Sequence, residues 1–549
     1  MTDLFPGPAI IENPILRGFN PDPSILRVGE DYFIATSTFE WRPGVQIHHS
    51  RDLVNWRLLT HALGAEQLDL RGAPDSGGVW APCLTHDGEL FHLIFTDVKF
   101  WSEVNAFKDS HNFLTTATNI LGPWSEPVYL NSSGFDPSLF HDADGRKWLL
   151  NALWDHRQGK NHFGGILLQE YDPAARRLIG PARNIFAGTE LRVTEAPHLY
   201  RRDGWHYLMT AEGGTAYRHA VTMARSRDLF GPYEVDPNNP MLTSAGRPEL
   251  ALQKAGHASL VETTGGEWFL AHLCGRPLDG PGAPPDGPGA GEARRCNLGR
   301  ETALQAVEWT PEGWLRLRGG GNGPQERVTA PRLPAHSWPA QAELDDFDGP
   351  NLSEHWSTLR TPPDPSWLSL LERPGFLRLH GRESPSSHNR QSLVARRLQA
   401  QHAVASTALE FEPQNFQQMA GLILYYDSSN FIYLHVTRDE ALGKVINVSC
   451  VEGGSYREPL ANPLPIDSWK RVHLRATFNG SSLRLAYADD GHRWRDLDLE
   501  LDAGQLSDEA GHLLGFTGTF VGVCAQDLSG GGLQADFDAF TYRELQANS

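Results

Sequence analysis

Three acidic residues, Asp22, Asp136 and Glu195, stand at the start of three copies of a pattern that recurs along the chain, one or two residues before its usual proline. In two further copies, Trp80 and His257 occupy this repeat position. Copies that converge on one axis would bring three carboxylates into a single site, where burial and like charge raise carboxyl pKa values. Glycoside hydrolysis needs such a set, with one protonated acid for the leaving oxygen and one carboxylate as base or nucleophile. The pattern therefore favours a hydrolytic site, although spacing alone does not assign the roles.

The carboxylates have two alternative explanations. An Asp-Pro pair taken alone is an ordinary turn, and three carboxylates also suit a structural calcium ion. Other catalytic motifs are missing from the sequence, which contains no phosphate-binding loop, no Gly-x-Ser-x-Gly elbow and no His-Glu-x-x-His helix. The adjacent pair His48 and His49 does not indicate a metal site, because neighbouring strand residues point to opposite faces.

The recurring pattern itself predicts the element that positions these residues. Each copy has a small or acidic residue, usually a proline, an apolar strand, a polar turn with Gly or Asp, and a second apolar strand. Five copies start 55–61 residues apart, and their proline column falls at positions 23, 82, 137, 197 and 258. Each copy has room for four strands, so we predict a five-bladed β-propeller over residues 1–318, with the first strands lining its channel.

The rest of the chain has a different pattern. Residues 319–340 open with three consecutive glycines and are predicted to be a linker. Residues 341–549 alternate apolar and polar positions with little helical periodicity, which predicts a β-sandwich of the concanavalin or jelly-roll type. A Gly- and Pro-rich stretch at 277–291 is predicted to be a surface loop. The fold class predicted for the whole chain is therefore all-β.

Composition limits the partners and the compartment. The net charge is −19 and no run of Lys or Arg occurs, which argues against a nucleic-acid partner, although acidity for solubility explains the charge equally well. Five scattered cysteines without Cys-x-x-Cys spacing argue against disulfides and zinc. Neither a secretory signal nor a run of about 18 apolar residues is visible, so we expect no membrane association and a cytoplasmic location.

Eight sequence motifs occur in order along the propeller part of the chain. They are GFNPDPS at 18–24, ATSTFEW at 35–41, GVWAP at 78–82, FDPSLF at 135–140, WDHR at 154–157, TEAPH at 194–198, GHAS at 256–259 and LGRET at 298–302. Taken together, these motifs resemble those of glycoside hydrolase family 43 β-xylosidases. The resemblance covers nearly the whole chain and extends to GFTGTFVG at 515–522, typical of the sandwich domain in the subgroup with both β-xylosidase and α-L-arabinofuranosidase activity.

The resemblance implies roles for the carboxylates in an inverting, single-displacement mechanism. Asp22 would be the general base that activates water, and Glu195 the general acid that protonates the leaving oxygen. Asp136 would orient that acid and raise its pKa. Arg300 would hold a substrate hydroxyl and perturb a carboxylate.

The resemblance also implies a sugar pocket. Phe39, Trp80 and Trp154 would shape it, and His257 would lie beneath it, near a water or a divalent cation such as calcium. A C-terminal aromatic would close it, and the sequence leaves Phe516 and Phe520 as equal candidates. The loop at 277–291 and residue Arg42 depart from the family pattern.

The activity expected from this resemblance is exo-acting β-1,4-xylosidase activity on xylobiose and short xylooligosaccharides. α-L-Arabinofuranosidase activity, as the main or a second activity, is the alternative. A catalytically silent sugar-binding protein would have lost one of the acids, and all three are present. We expect no required cofactor and, as is common in the family, a homo-oligomer, either a dimer or a tetramer.

Overall fold

The computed structural model describes residues 9–102, 104–278, 294–511 and 514–546. These residues form an all-β structure, in which the one helical element is a short 3-10 turn at Ala503–Gln505. None of them belongs to a helix long and apolar enough to cross a membrane. The five cysteines are buried and form no disulfide with one another. Most of the loop predicted at 277–291 lies outside the described residues.

Strands of the N-terminal part are numbered in chain order. They are β1 (Ile10–Glu12), β2 (Ser24–Val28), β3 (Asp31–Thr36), β4 (Trp41–Arg42), β5 (Gly44–Ser50), β6 (Arg57–Leu63), β7 (Gly78–His86), β8 (Phe91–Phe100), β9 (Asp109–Ala117), β10 (Val128–Asn131), β11 (Gly134–His141), β12 (Lys147–Trp154), β13 (Phe163–Asp172), β14 (Arg177–Phe186), β15 (Glu195–Arg202), β16 (Trp205–Glu212), β17 (Ala220–Ser226), β18 (Glu234–Val235), β19 (Leu242–Thr243), β20 (Gln253–Glu262), β21 (Trp268–Gly275), β22 (Glu301–Trp309), β23 (Leu315–Leu317) and β24 (Arg327–Thr329).

Five antiparallel sheets built from these strands form the blades of a propeller, which confirms the predicted fold. Their strand orders are β2-β3-β5-β6, β7-β8-β9-β10, β11-β12-β13-β14, β15-β16-β17-β18 with β19 beside β17, and β20-β21-β22-β23. Polar turns separate apolar strands within each blade, and the buried faces of neighbouring blades pack on one another.

The proline column has a structural cause at the start of each blade. In blades two to five the first strand shifts register against the second at this point, and the first blade starts its strand just after it. Proline cannot donate to a ladder, and a bulge re-aims the side chain beside it. One residue of each motif takes a left-handed conformation: Asp22 (φ 56°), Ala81 (φ 37°), Asp136 (φ 53°), Ala196 (φ 50°) and His257 (φ 41°).

The C-terminal part is a β-sandwich, also as predicted. Its strands are β25 (Leu344–Asp345), β26 (Ser357–Leu359), β27 (Leu368–Ser369), β28 (Leu377–His380), β29 (Ser392–Arg397), β30 (His402–Glu410), β31 (Gln418–Asp427), β32 (Asn430–Asp439), β33 (Gly443–Glu452), β34 (Ser455–Arg457), β35 (Leu464–Pro465), β36 (Val472–Asn479), β37 (Ser482–Ala488), β38 (Arg495–Asp502), β39 (Phe520–Asp527) and β40 (Gln534–Glu544). One sheet has the order β27-β28-β40-β30-β36-β37-β38, with β25 beside β40. The other has the order β34-β33-β32-β31-β39-β29-β26-β4, with β35 beside β33.

One strand of the propeller chain belongs to the sandwich. β4, which lies between two strands of the first blade, is the edge strand of a sandwich sheet, where Trp41 pairs with Leu359. β24, in the predicted linker, pairs with β1 at the start of the propeller in a separate two-stranded sheet. Trp41 also stacks on Phe520, with ring centroids 3.7 Å apart. The sandwich is therefore fixed to the propeller directly beside the segment that carries Phe39.

Candidate active site

A cavity of about 180 Å³ lies where the five repeats converge, and all five residues of the repeat position line it. The sandwich contributes Leu514 and Phe516 to its wall. This volume is below the roughly 300–1,000 Å³ of pockets that hold drug-sized ligands. The cavity therefore suits one small group, such as a single sugar unit, better than the middle of a long chain.

Asp22 is held as a carboxylate at one side of the cavity. One oxygen accepts a hydrogen bond from the Ser37 hydroxyl at 2.6 Å, and the other accepts from Arg300 Nη1 at 3.2 Å. His257 Nδ1 lies 3.5 Å from the same oxygen. Burial alone would raise the pKa of Asp22, but Arg300, His257 and the Ser37 hydrogen bond outweigh it and hold the pKa below its usual value. Asp22 is thus ionised and can accept a proton.

Glu195 has the opposite environment. Its side chain is buried, and burial together with the nearby charge of Asp136 raises its pKa well above the ordinary value. Burial also raises the pKa of Asp136. An Asp136 oxygen accepts a hydrogen bond from the Ala196 backbone N–H at 3.1 Å, which fixes Asp136 against the residue that follows Glu195. Glu195 is thus held protonated, as a donor.

Arg300 connects the base to the sandwich. Besides Asp22, its guanidinium donates to Thr215 Oγ1 at 2.8 Å and to the Phe516 carbonyl at 2.9 Å. The preceding residue, Gly299, packs so closely that a Cβ there would lie 2.1 Å from the Thr517 carbonyl oxygen. Only glycine permits this approach, so the sequence Gly299-Arg300 serves both the site and the domain contact.

Aromatic rings form the wall that faces the sandwich. The Trp80 ring centroid lies 5.8 Å from that of Phe39 and 5.6 Å from that of Phe516. Of the two candidates for closing the pocket, the structure therefore places Phe516 at the cavity. Phe520 does not line it, because Phe520 begins a strand of the sandwich sheet and is fully buried against Trp41.

The far wall contains a cation that the sequence analysis missed. Lys108 Nζ lies 4.3 Å from the ring centroids of both Phe135 and Trp154, and it also faces Trp80. Burial lowers the pKa of Lys108 to about 8, although Glu195 and Asp136 favour its charged form. Trp154 stands behind Phe135, with its Nε1 donating to the Ala106 carbonyl at 2.7 Å.

Ser76 is a second residue that the sequence analysis missed. It takes a left-handed conformation (φ 56°), and each of its polar groups contacts a different part of the wall. Its hydroxyl accepts from the Phe516 N–H at 3.0 Å, and its carbonyl accepts from Trp80 Nε1 at 2.9 Å. Its N–H donates to Glu40, a residue whose pKa is raised to about 8 by burial. No repeat signal marks Ser76, since it lies in a connection between blades.

Two further predictions concern Arg42 and a possible cation near His257. Arg42, which departs from the family pattern, donates to the Gly64 and Leu68 carbonyls and pairs with Thr358 across the domain contact. It is a structural residue rather than a site residue. Among the described residues, no group of three or more His, Cys, Asp or Glu side chains is arranged to hold a metal ion, at His257 or elsewhere.

Comparisons with known proteins agree with this geometry. Residues 11–315 match the family "Glycosyl hydrolases family 43", and residues 344–543 match "Beta xylosidase C-terminal Concanavalin A-like domain". The chain is 49% identical to a beta-xylosidase of Bacillus subtilis over 97% of this chain and 99% of the relative. It is 48% identical to "Xylosidase/arabinosidase 43B" of Humicola insolens over 98% of each.

One solved structure is also similar to this chain over its whole length. The crystal structure of xylan beta-1,4-xylosidase from Bacillus halodurans superimposes with a TM-score of 0.94 at 55% identity, over 97% of this chain and 100% of that one. Both domains of the chain are therefore matched together and in the same arrangement. The chain belongs to glycoside hydrolase family 43.

Proposed function

We propose that the protein is an exo-acting, inverting glycoside hydrolase that releases D-xylose from the non-reducing ends of xylobiose and xylooligosaccharides. The observation that carries the proposal is the opposite ionisation of two buried carboxyl groups, Asp22 and Glu195, around one small cavity. An inverting glycosidase needs one carboxylate that activates water and one carboxylic acid that protonates the leaving oxygen.

Each residue then has a distinct task. Asp22, kept ionised by Arg300, takes a proton from the water that attacks the anomeric carbon. Glu195 gives its proton to the glycosidic oxygen as the bond breaks. Asp136 keeps that proton on Glu195 until then, because a second negative charge opposes ionisation of the first. Water attacks from the face opposite the leaving group, so the product has the inverted configuration.

The size and wall of the cavity support an exo mode of action and a pentose. Phe516 closes one side, and its ring, with those of Phe39 and Trp80, offers an apolar surface for the C–H face of a sugar. The names of the relatives support xylose as the sugar. One relative named as both xylosidase and arabinosidase favours α-L-arabinofuranosidase as a second activity of the same cavity.

The first experiment compares initial rates on xylobiose and on 4-nitrophenyl α-L-arabinofuranoside. Asp22→Ala should lower the xylobiose rate by at least roughly 10²–10⁴-fold, the usual contribution of a general acid or base. Asp144→Ala, an exposed acid on a hairpin turn, is the matched control and should leave the rate unchanged. Near-normal turnover in a folded Asp22→Ala variant would refute the assignment. Cleavage of the arabinoside alone would move the proposal to the second activity.

The stereochemistry has its own test. NMR of the xylose first released from 4-nitrophenyl β-D-xyloside, whose leaving group is not a sugar, should show the α-anomer, which later mutarotates. An initial β-anomer would indicate a retaining enzyme and remove Asp22 from the role of base.

We further propose that the reaction needs no cofactor, with a water rather than a cation beside His257. Treatment with EDTA should then leave the rate unchanged, whereas a loss that calcium restores would favour a cation there. A homo-oligomeric state, dimer or tetramer, and a cytoplasmic site of action also belong to the proposal. Light scattering and cell fractionation test them.

A further inference from the structure

A second groove, of about 650 Å³, opens beside the catalytic cavity. Phe163 lines both spaces. Arg192 lines the groove, and the next residue, Val193, lines the cavity. Because Glu195 follows two residues later, the groove lies on the side of the general acid, where the leaving part of the substrate departs.

The groove contains two positively charged side chains whose charges no described acidic side chain pairs with. Within the described residues, the side chains of Lys160 and Arg192 have neither an ion pair nor a hydrogen-bond partner, and both are exposed to solvent. Asp155, whose carbonyl oxygen contacts His162 of the groove, has its carboxylate held by Arg157 through two hydrogen bonds of 2.6 and 2.8 Å. Two free cations at one site are notable in a chain whose net charge is −19.

The backbone that presents Arg192 is fixed. Arg192 and Val193 both take left-handed conformations, with φ 61° and 54°. A left-handed conformation is unfavourable for a residue other than glycine, and it persists only where the surrounding structure requires it. The Arg192 carbonyl accepts from the Gly213 N–H at 2.8 Å, and its N–H donates to the Thr189 carbonyl at 3.2 Å.

An aromatic platform lines the same groove as the two cations. The His162 ring stacks on Trp154, with centroids 5.2 Å apart and an interplanar angle of 17°. His162 Nδ1 lies 2.6 Å from the Asp155 carbonyl oxygen, and Trp154 is held through Ala106. A flat platform with cations at its edge fits a sugar ring that carries a negative charge.

We propose that this groove binds a uronic acid substituent on the leaving side of the substrate, so that acidic, uronate-bearing xylooligosaccharides are preferred over neutral ones. The inference rests on the proposed function and names the substrate class of the same site. A carboxylate accepts two parallel hydrogen bonds from a guanidinium, which makes Arg192 its natural partner, and Lys160 adds a second charge. Neutral sugars would gain nothing from these charges.

The test uses the full-length enzyme and two branched tetrasaccharides. The first is xylotriose with a glucuronate on its middle xylose, so that the terminal xylose stays free for cleavage. The second is the same compound with the carboxylate reduced to an alcohol. We expect kcat/KM to be about tenfold higher for the acidic compound at low ionic strength, equivalent to about 1.4 kcal/mol. About 0.5 M salt should abolish most of the difference, because exposed charges are screened.

Variants assign the effect to the groove. Arg192→Gln and Lys160→Gln should each reduce the ratio of acidic to neutral kcat/KM about threefold, and the double variant should bring it to about one. Arg146→Gln is the control, because Arg146 is an exposed cation in the turn that begins with Asp142, outside the groove. It should leave the ratio at its original value.

Equal kcat/KM for the two tetrasaccharides in the unaltered enzyme would overturn the inference, as would a preference that survives in the double variant. Hydrolysis of xylobiose separates the two hypotheses. An enzyme that cleaves xylobiose but ignores the carboxylate keeps the proposed function and loses only the uronate site. An enzyme that cleaves neither xylobiose nor the tetrasaccharides loses the proposed function itself.

Discussion

Asp22 and Glu195 are both buried carboxyl groups, yet their surroundings move their pKa values in opposite directions. Burial acts on both in the same sense. The difference comes from neighbours, since Arg300 and His257 stabilise the charge on Asp22, whereas Asp136 opposes the charge on Glu195. The two protonation states needed for one turnover therefore coexist at the same pH.

Asp136→Asn should move the alkaline limb of the pH–rate profile to lower pH. Glu195 must be protonated, so the rate falls as pH rises through its pKa, and Asp136 is one cause of that raised pKa. Asparagine keeps an oxygen for the Ala196 N–H, which leaves the geometry in place. The profile of kcat/KM on xylobiose checks this, with Asp144→Asn as the control. An unmoved limb would remove Asp136 from its tuning role.

Arg300→Gln should move the acidic limb to higher pH. Asp22 must be ionised, so the rate falls as pH drops through its pKa. Without the Arg300 charge, burial raises that pKa with less opposition. Thr215→Val is the control, because it removes only a hydrogen-bond partner of Arg300 and keeps the cation. A limb that moves equally in both variants would show that Arg300 does not set the pKa of Asp22.

At the scale of elements, the connections between strands build the wall of the cavity. Ser76 lies before β7 and Phe516 lies before β39, so their hydrogen bond joins a propeller connection to a sandwich connection. Arg360 fixes the same propeller connection from the sandwich side, with its guanidinium donating to the Ala73 carbonyl and to Asp75, both at 2.7 Å.

Ser76→Ala should raise KM for xylobiose several-fold with a smaller change in kcat. The substitution leaves the half-buried Phe516 N–H without its acceptor, at a cost of about 1 kcal/mol, so the ring is held less firmly. Ser226→Ala is a matched control, since that buried serine also accepts a backbone N–H but lies away from the cavity. A proportionate fall in kcat alone, or an equal effect of the control, would contradict the positioning role.

These connections also show how far the sequence could predict the site. The repeat residues were predictable because the start of each copy is a local feature, marked in four of the five copies by a proline next to a strand. Ser76 and Lys108 have no counterpart in the other copies. The Ser76–Phe516 contact spans 440 residues, a separation that a single sequence does not reveal. Likewise β4 has two residues, too few to show alternation, so its membership of the sandwich sheet depends on tertiary contacts.

At the scale of the whole molecule, buried ion pairs also connect the propeller to the sandwich. Lys254, on the first strand of the fifth blade, forms ion pairs with Glu509 and with Asp508 of the sandwich, the latter at 3.2 Å. All three side chains are buried. Asp508 also accepts from the Tyr426 hydroxyl at 2.8 Å, and its carbonyl accepts from the Gly515 N–H at 3.0 Å, just before Phe516. This network therefore supports the loop that closes the cavity.

Lys254→Met should destabilise both domains together. The variant leaves two buried carboxylates without their cation, which typically costs 3–5 kcal/mol, because a buried charge without a partner keeps its desolvation penalty. Because β4 of the propeller chain is a strand of a sandwich sheet, we expect calorimetry to show one unfolding transition, lowered by about 2–5 °C. Adding Asp508→Asn and Glu509→Gln removes the two unpaired buried charges and should restore part of the lost stability. Two separate transitions, of which only one moves, would mean that propeller and sandwich unfold independently, and the closed cavity would then depend on local contacts alone.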